Sequence, residues 1–133
     1  MSSTSDTVPL TTEQDVVAAR QLVRKLTQQI GFSLVDQTKL VTATSELARN
    51  TVKYGGGGVM RWEVLREAVR QGVRLQFADE GPGIPDIDQA MVDGWTSGGG
   101  LGMGLSGAKR LVGEFSIESA VGNGTTVTIA RWK

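Results

Sequence analysis

Apolar residues recur along this chain at two different periods. Val16, Ala19, Val23, Leu26 and Ile30 return every three or four positions after Thr11-Thr-Glu-Gln14, which has the pattern of a capping box. This period predicts a helix with one buried face, stopped at Gly31. Ser33 and Asp36 open a second predicted helix that runs to about Tyr54, where the glycines 55–58 end it. The period then falls to two. Met60, Trp62 and Val64 alternate with Arg61, Glu63 and Leu65, and Val73, Leu75 and Phe77 alternate with Arg74 and Gln76. These are the marks of half-buried strands joined by a turn over 67–72. Further predicted elements are short helices over 86–93 and 102–114, then a hairpin of strands 115–121 and 125–132 around Gly122-Asn-Gly124. Residues 2–7 read as a loose tail and 8–10 as a short edge strand. The order implies an α+β fold, a two-layer α/β sandwich with helices on one face of a mixed, mostly antiparallel sheet. One domain is expected over 11–133, behind a tail of residues 1–10.

Composition changes this picture mainly by exclusion. The chain has 133 residues, with 39% hydrophobic and 21% charged, as expected of a globular domain rather than a disordered one. Lys+Arg and Asp+Glu both number 14, so net charge directs it to neither nucleic acid nor membrane. No apolar run approaches the ~18 residues of a membrane span. The polar start shows no signal-peptide core, and a cytoplasmic location is expected. Cysteine and histidine are both absent, which excludes disulfides, thiolate metal sites and any histidine base or phosphate acceptor. Glycine is abundant at 18 and clusters at 55–58, 81–83, 98–107 and 122–124. Such clusters mark tight loops or close approach of backbone to a ligand.

Three stretches carry candidate chemistry. On the second helix, Lys39, Thr42, Glu46, Asn50 and Lys53 fall within an arc of about 80°. This stripe is either a solvated face or a working one. In the second case Asn50 offers an amide oxygen to Mg²⁺, Lys53 meets phosphate charge and Glu46 accepts a proton. In Asp79-Glu-Gly-Pro-Gly-Ile84, Asp79 continues the phase of Val73, Leu75 and Phe77. Its carboxylate therefore faces the core side and needs a donor, such as the exocyclic amine of adenine. Gly81 and Gly83 would let the backbone approach a base. A plain turn has the same composition. Finally, Ser97-Gly-Gly-Gly-Leu-Gly-Met-Gly-Leu105 feeds a predicted helix. Backbone N–H groups at such a helix start favour phosphate, although the spacing is that of neither a Walker loop nor a dinucleotide fingerprint.

Together the motifs Glu46-x-x-x-Asn50, Asp79-x-Gly81-x-Gly83, Gly102-x-Gly104 and Gly122-x-Gly124-Thr125 resemble the GHKL superfamily, the ATPase fold of DNA gyrase, Hsp90 chaperones, histidine kinases and MutL. The resemblance runs from about Thr11 to Trp132. It implies the GHKL (Bergerat) sandwich, with ATP and Mg²⁺ as cofactors. It also implies that Asn50 coordinates Mg²⁺, Asp79 bonds the adenine amine and Thr125 supports the Asp79 end of the pocket. Gly100, Leu101, Gly102, Met103, Gly104 and Leu105 would cover the phosphates, with Lys53 and Lys109 as cations near them.

Within that superfamily Asp15-Val-Val-Ala-Ala-Arg-Gln21, Ser45-Glu-Leu-Ala-Arg-Asn50 and Asp79-Glu-Gly-Pro-Gly-Ile-Pro-Asp86 resemble the RsbT-type switch kinases of the bacterial stressosome, as does the stretch 99–105. Anti-sigma kinases often carry an arginine beside the lid glycines, and this chain has Ser97 and glycines there. Lys53, Lys109 or a partner residue would then supply the transition-state cation. The expected activity is transfer of the γ-phosphoryl group of ATP to a serine or threonine of a STAS-domain antagonist. Binding to a PP2C-type phosphatase is the expected second partnership. The alternatives are an anti-sigma factor, a nucleotide-dependent binding module and a simple ATPase.

Overall fold

The described residues of the computed structural model are 4–84, 91 and 104–133. The chain opens with strand β1 (Ser5–Leu10), which is longer than the 8–10 segment expected from sequence. Its residues pair with the next strand from Ser5 opposite Glu63 to Leu10 opposite Gly58. Pro9 is tolerated because β1 is an edge strand.

Helix α1 (Glu13–Ile30) follows. Its capping box lies one residue later than Thr11–Gln14: Thr12 Oγ1 accepts the N–H of Asp15 at 3.1 Å, and Asp15 Oδ2 accepts that of Thr12 at 3.2 Å. The shift is decided by the carboxylate, which also accepts from the N–H and hydroxyl of Thr11, both at 2.9 Å. These bonds from Thr11 and Thr12 hold the Asp15 carboxyl below its ordinary range. Gly31 ends the helix in the left-handed conformation, φ 97°. Helix α2 (Leu34–Lys53) begins at the cap Ser33, whose hydroxyl accepts from Asp36 N at 3.1 Å. Val16, Ala19, Val23 and Leu26 of α1, with Leu40, Ala43, Leu47 and Ala48 of α2, are buried. Threonines enter this core by bonding back to the preceding turn, Thr44 to Leu40 O at 2.8 Å and Thr51 to Leu47 O at 3.0 Å.

Strands β2 (Gly58–Arg66) and β3 (Gln71–Asp79) form the first hairpin. The turn is shorter than expected because Gln71 and Gly72 pair with Arg66 and Leu65. Helix α3 (Gly104–Leu111) leads to β4 (Glu114–Ser119) and β5 (Thr125–Trp132). The helix expected over 102–114 thus stops at Leu111, and the 86–93 helix lies outside the described residues except for Met91, which sits in a turn. The sheet order is β1-β2-β3-β5-β4, and among the described residues every pairing is antiparallel.

Both long helices pack on the sheet, and α3 packs on α2. The inward positions Met60, Trp62, Val73, Leu75, Phe77, Val127 and Ile129 are buried beneath them. Each such side chain contributes about 1.5–3 kcal/mol on full burial. The opposite face carries a polar lattice. There a cavity of about 410 Å³ is lined by Arg61, Glu63, Arg74, Gln76 and Thr128, with Arg74 paired to Glu63. None of the candidate site residues lines it.

Candidate functional site

The site is assembled at the ends of α2, β3 and β5. Asp79 closes β3 and is half-buried. Its Oδ1 accepts from Gly81 N at 2.9 Å and from Thr125 N at 3.2 Å. Among the described residues nothing donates to Oδ2. Asp79 and Thr125 are also register partners across β3 and β5. The carboxylate is therefore fixed on one oxygen and, among the described residues, without a donor on the other.

Glycines crowd this turn. A Cβ at Gly81 would lie 2.7 Å from Gly55 O, and one at Gly124 would lie 2.1 Å from Asp79 O. At Gly83, with φ 79°, a Cβ would lie 2.1 Å from Ala120 O. The 81–84 turn is thus seated directly on the β4–β5 hairpin. Ser119 completes the seat. Its hydroxyl accepts from Ile84 N at 2.7 Å, donates to Gly124 O at 3.0 Å and meets Thr125 Oγ1 at 2.8 Å. Sequence reasoning misses Ser119 and Gly55. The only signal for Ser119 is its place opposite Thr125 in a predicted hairpin, while Gly55 reads as part of a helix stop.

The polar stripe of α2 leads toward the same place. Glu46 is largely covered, with 18% of its side chain exposed, and its Oε1 lies 3.7 Å from Arg49 Nη1. Asn50 is half-buried one turn later, and its carbonyl accepts the N–H groups of Tyr54 and Gly55 at 2.9 and 3.1 Å. Lys53 is exposed, its Nζ 6.0 Å from the Tyr54 ring centre. The stripe is therefore neither core nor fully solvated, and it ends at Lys53, two residues before Gly55, which packs against Asp79. Leu105 is buried in the core and Lys109 is exposed on α3. Gly104 opens that helix. Gly100, Leu101, Gly102 and Met103 lie outside the described residues.

The site has a carboxylate held by two amides, a turn whose glycines pack against neighbouring backbone, and a helix that carries an amide and an ammonium. A carboxylate oxygen without a donor can accept from an amine, and an ammonium can pair with an anion. The profile of the histidine kinase-, DNA gyrase B- and HSP90-like ATPases matches residues 35–133. The chain belongs to this ATPase family.

Among individual relatives of this family, the serine/threonine-protein kinase RsbT of Bacillus subtilis is 46% identical over 125 residues, 94% of each chain. An anti-sigma F factor of Geobacillus kaustophilus is 31% identical over 85% of this chain and 81% of its own. The RsbU–RsbW structure from Mycobacterium tuberculosis superimposes with a TM-score of 0.66 at 23% identity, covering 97% of this chain and 32% of that one. The mycobacterial sensor histidine kinase MprB gives 0.55 at 20%, with 95% of each chain covered. The structures establish the GHKL fold, and the likeness to RsbT makes the chain a kinase-type enzyme of the ATPase family.

Proposed function

We propose that this protein is a Mg²⁺- and ATP-dependent serine/threonine kinase that acts as a partner switch, phosphorylating a STAS-domain antagonist and engaging a PP2C-type phosphatase. The observation that carries the reading is the one-sided bonding of Asp79, which leaves Oδ2 as an acceptor for the adenine amine. When bound, ATP supplies the phosphoryl group and Mg²⁺ offsets its charge.

The chain's own residues then have separate tasks. Asp79 selects the base, and Gly81 N and Thr125 N hold its carboxylate still. Asn50 offers Mg²⁺ one amide oxygen, which suffices for an ion that retains water and phosphate oxygens. Glu46, one turn before Asn50, accepts the proton of the substrate hydroxyl. Arg49 beside it is the competing partner that must yield the carboxylate during transfer. Lys53, Lys109 or a partner residue supplies the cation. Gly100, Leu101, Gly102, Met103 and Gly104 cover the phosphates with backbone N–H groups. The cytoplasm and the stressosome are the proposed setting. Among the described residues no helix is long and apolar enough to cross a membrane.

The likeness to anti-sigma F factors favours a second reading, in which the chain holds a sigma factor and phosphorylates its antagonist. One experiment separates the two. The protein is mixed with Mg-ATP and a STAS protein encoded beside its gene, and phosphoserine is read by mass spectrometry alongside complex formation by gel filtration. Transfer followed by release of the kinase is the expected result. Stable binding without transfer would leave only a binding module, and co-purification of a sigma factor would favour the second reading.

A further inference from the structure

The glycine at 55 is not explained by the end of α2. The C-cap is Tyr54, in the right-handed region, and the positive-φ glycines that follow are Gly56 and Gly57. Gly55 itself has no positive φ, so its backbone suits any residue. What excludes a side chain there is contact. A Cβ at 55 would lie 2.4 Å from Asp79 Cγ, 2.5 Å from Oδ2 and 2.6 Å from Asp79 Cβ, all below the 3.0 Å floor of real Cβ contacts.

Asp79 has little room to retreat. Its Oδ1 is tied to Gly81 N and Thr125 N, Gly124 lies against its carbonyl, and Gly81 is packed on the Gly55 carbonyl. The carboxylate is walled by the backbone of Gly55, just past the end of α2, on one side and by that of β5 on the other.

We propose that Gly55 is a positioning residue: its missing side chain lets the end of α2 close on Asp79 and press the carboxylate onto its two amides. This rests on the reading of Asp79 as the base acceptor. The same contact sets the spacing between the base end of the site and the α2 residues Asn50 and Lys53. Gly55 is thus where the metal-binding helix and the base-binding turn are joined.

The test compares Gly55→Ala with Gly113→Ala, where a Cβ would meet only Ala130 O at an ordinary 3.7 Å. In the nucleotide-free protein, Gly55→Ala should move the amide NMR signals of Gly81 and Thr125, and Gly113→Ala should not. ATP affinity should fall about tenfold or more in Gly55→Ala, the scale of one charged hydrogen bond, with adenosine affinity falling by the same factor. Unchanged Gly81 and Thr125 signals with wild-type ATP affinity would overturn the proposal. Should Gly55→Ala fail to fold, adenosine titration of the wild-type protein decides. The signals of Gly55, Gly81 and Thr125 should then move together, and a Gly55 signal that stays still while the other two move would overturn it. A wild-type protein that binds neither ATP nor adenosine would instead overturn the reading of Asp79, and the shifts in the nucleotide-free variant would still decide the packing claim.

Discussion

At the scale of single residues, the proposed roles of Asp79 and Glu46 separate binding from chemistry. Asp79→Asn exchanges the acceptor Oδ2 for a competing set of donors and acceptors while keeping its shape. ATP affinity should fall ten- to a hundred-fold, or about 1.5–3 kcal/mol, with the fold intact, as calorimetry beside thermal unfolding will reveal. Glu46→Gln should retain Mg-ATP and slow phosphoryl transfer by about 10²–10⁴. A normal single-turnover rate in that variant would remove Glu46 from the chemistry. Asp79 is legible in the sequence because period-two alternation carries Val73, Leu75 and Phe77 onto the same face, and a carboxylate in that series needs a donor. Gly55 and Ser119 are not legible as site residues, because their contacts are with residues brought close only by the sheet register. Nothing local distinguishes a glycine that admits a neighbouring carboxylate from one that ends a helix.

At the scale of elements, α2 is held at both ends. Its first turn meets the far end of the sheet through Arg131, whose Nη2 donates to Asp36 Oδ1 at 2.7 Å and whose Nη1 donates to Leu111 O at 3.2 Å. One guanidinium thus ties the start of α2 to the finish of α3. The hydrogen bond from Arg131, more than any other influence, holds the Asp36 carboxyl below the ordinary carboxylate range. As pH falls, the unfolded chain therefore takes up this proton first. The stabilisation is fully present above about pH 4 and is lost as pH drops through the lower folded value. Asp36→Asn should lower the melting temperature at pH 7, and the gap from wild type should close toward pH 3 in a calorimetric pH series. A gap that stays constant with pH would mean the ion pair is not its source. Ser33→Ala removes the cap of the same helix and should cost about 1 kcal/mol, roughly 3–5 °C in melting temperature. The helices are legible from apolar spacing and caps, but the length of β1 is not. Its residues 5–7 are polar, and they join the sheet only because β2 supplies a complementary edge.

At the scale of the whole molecule, the two faces of the sheet have separate lives. Asp79 follows the inward series under the helices, whereas Gln76 stands on the outward lattice beside Arg61 and Thr128. Gln76→Ala should leave ATP affinity within about twofold, as expected of a surface change remote from the site. A larger loss would mean that the nucleotide or a coupled motion reaches the open face. The order of the strands has a consequence for synthesis. β5 is the last element along the chain, yet it lies inside the sheet between β3 and β4. A ribosome delivers β1, β2 and β3 first, and these can pair without it. β4 then has no neighbour to join, and Asp79 lacks the amide of Thr125, which stands 46 positions later in the chain. Only when residues 125–132 leave the exit tunnel do the sheet and the double amide hold on Asp79 become complete, both in the same step. A half-made chain therefore holds Asp79 without its second amide, and the carboxylate is fixed only after the last strand has paired.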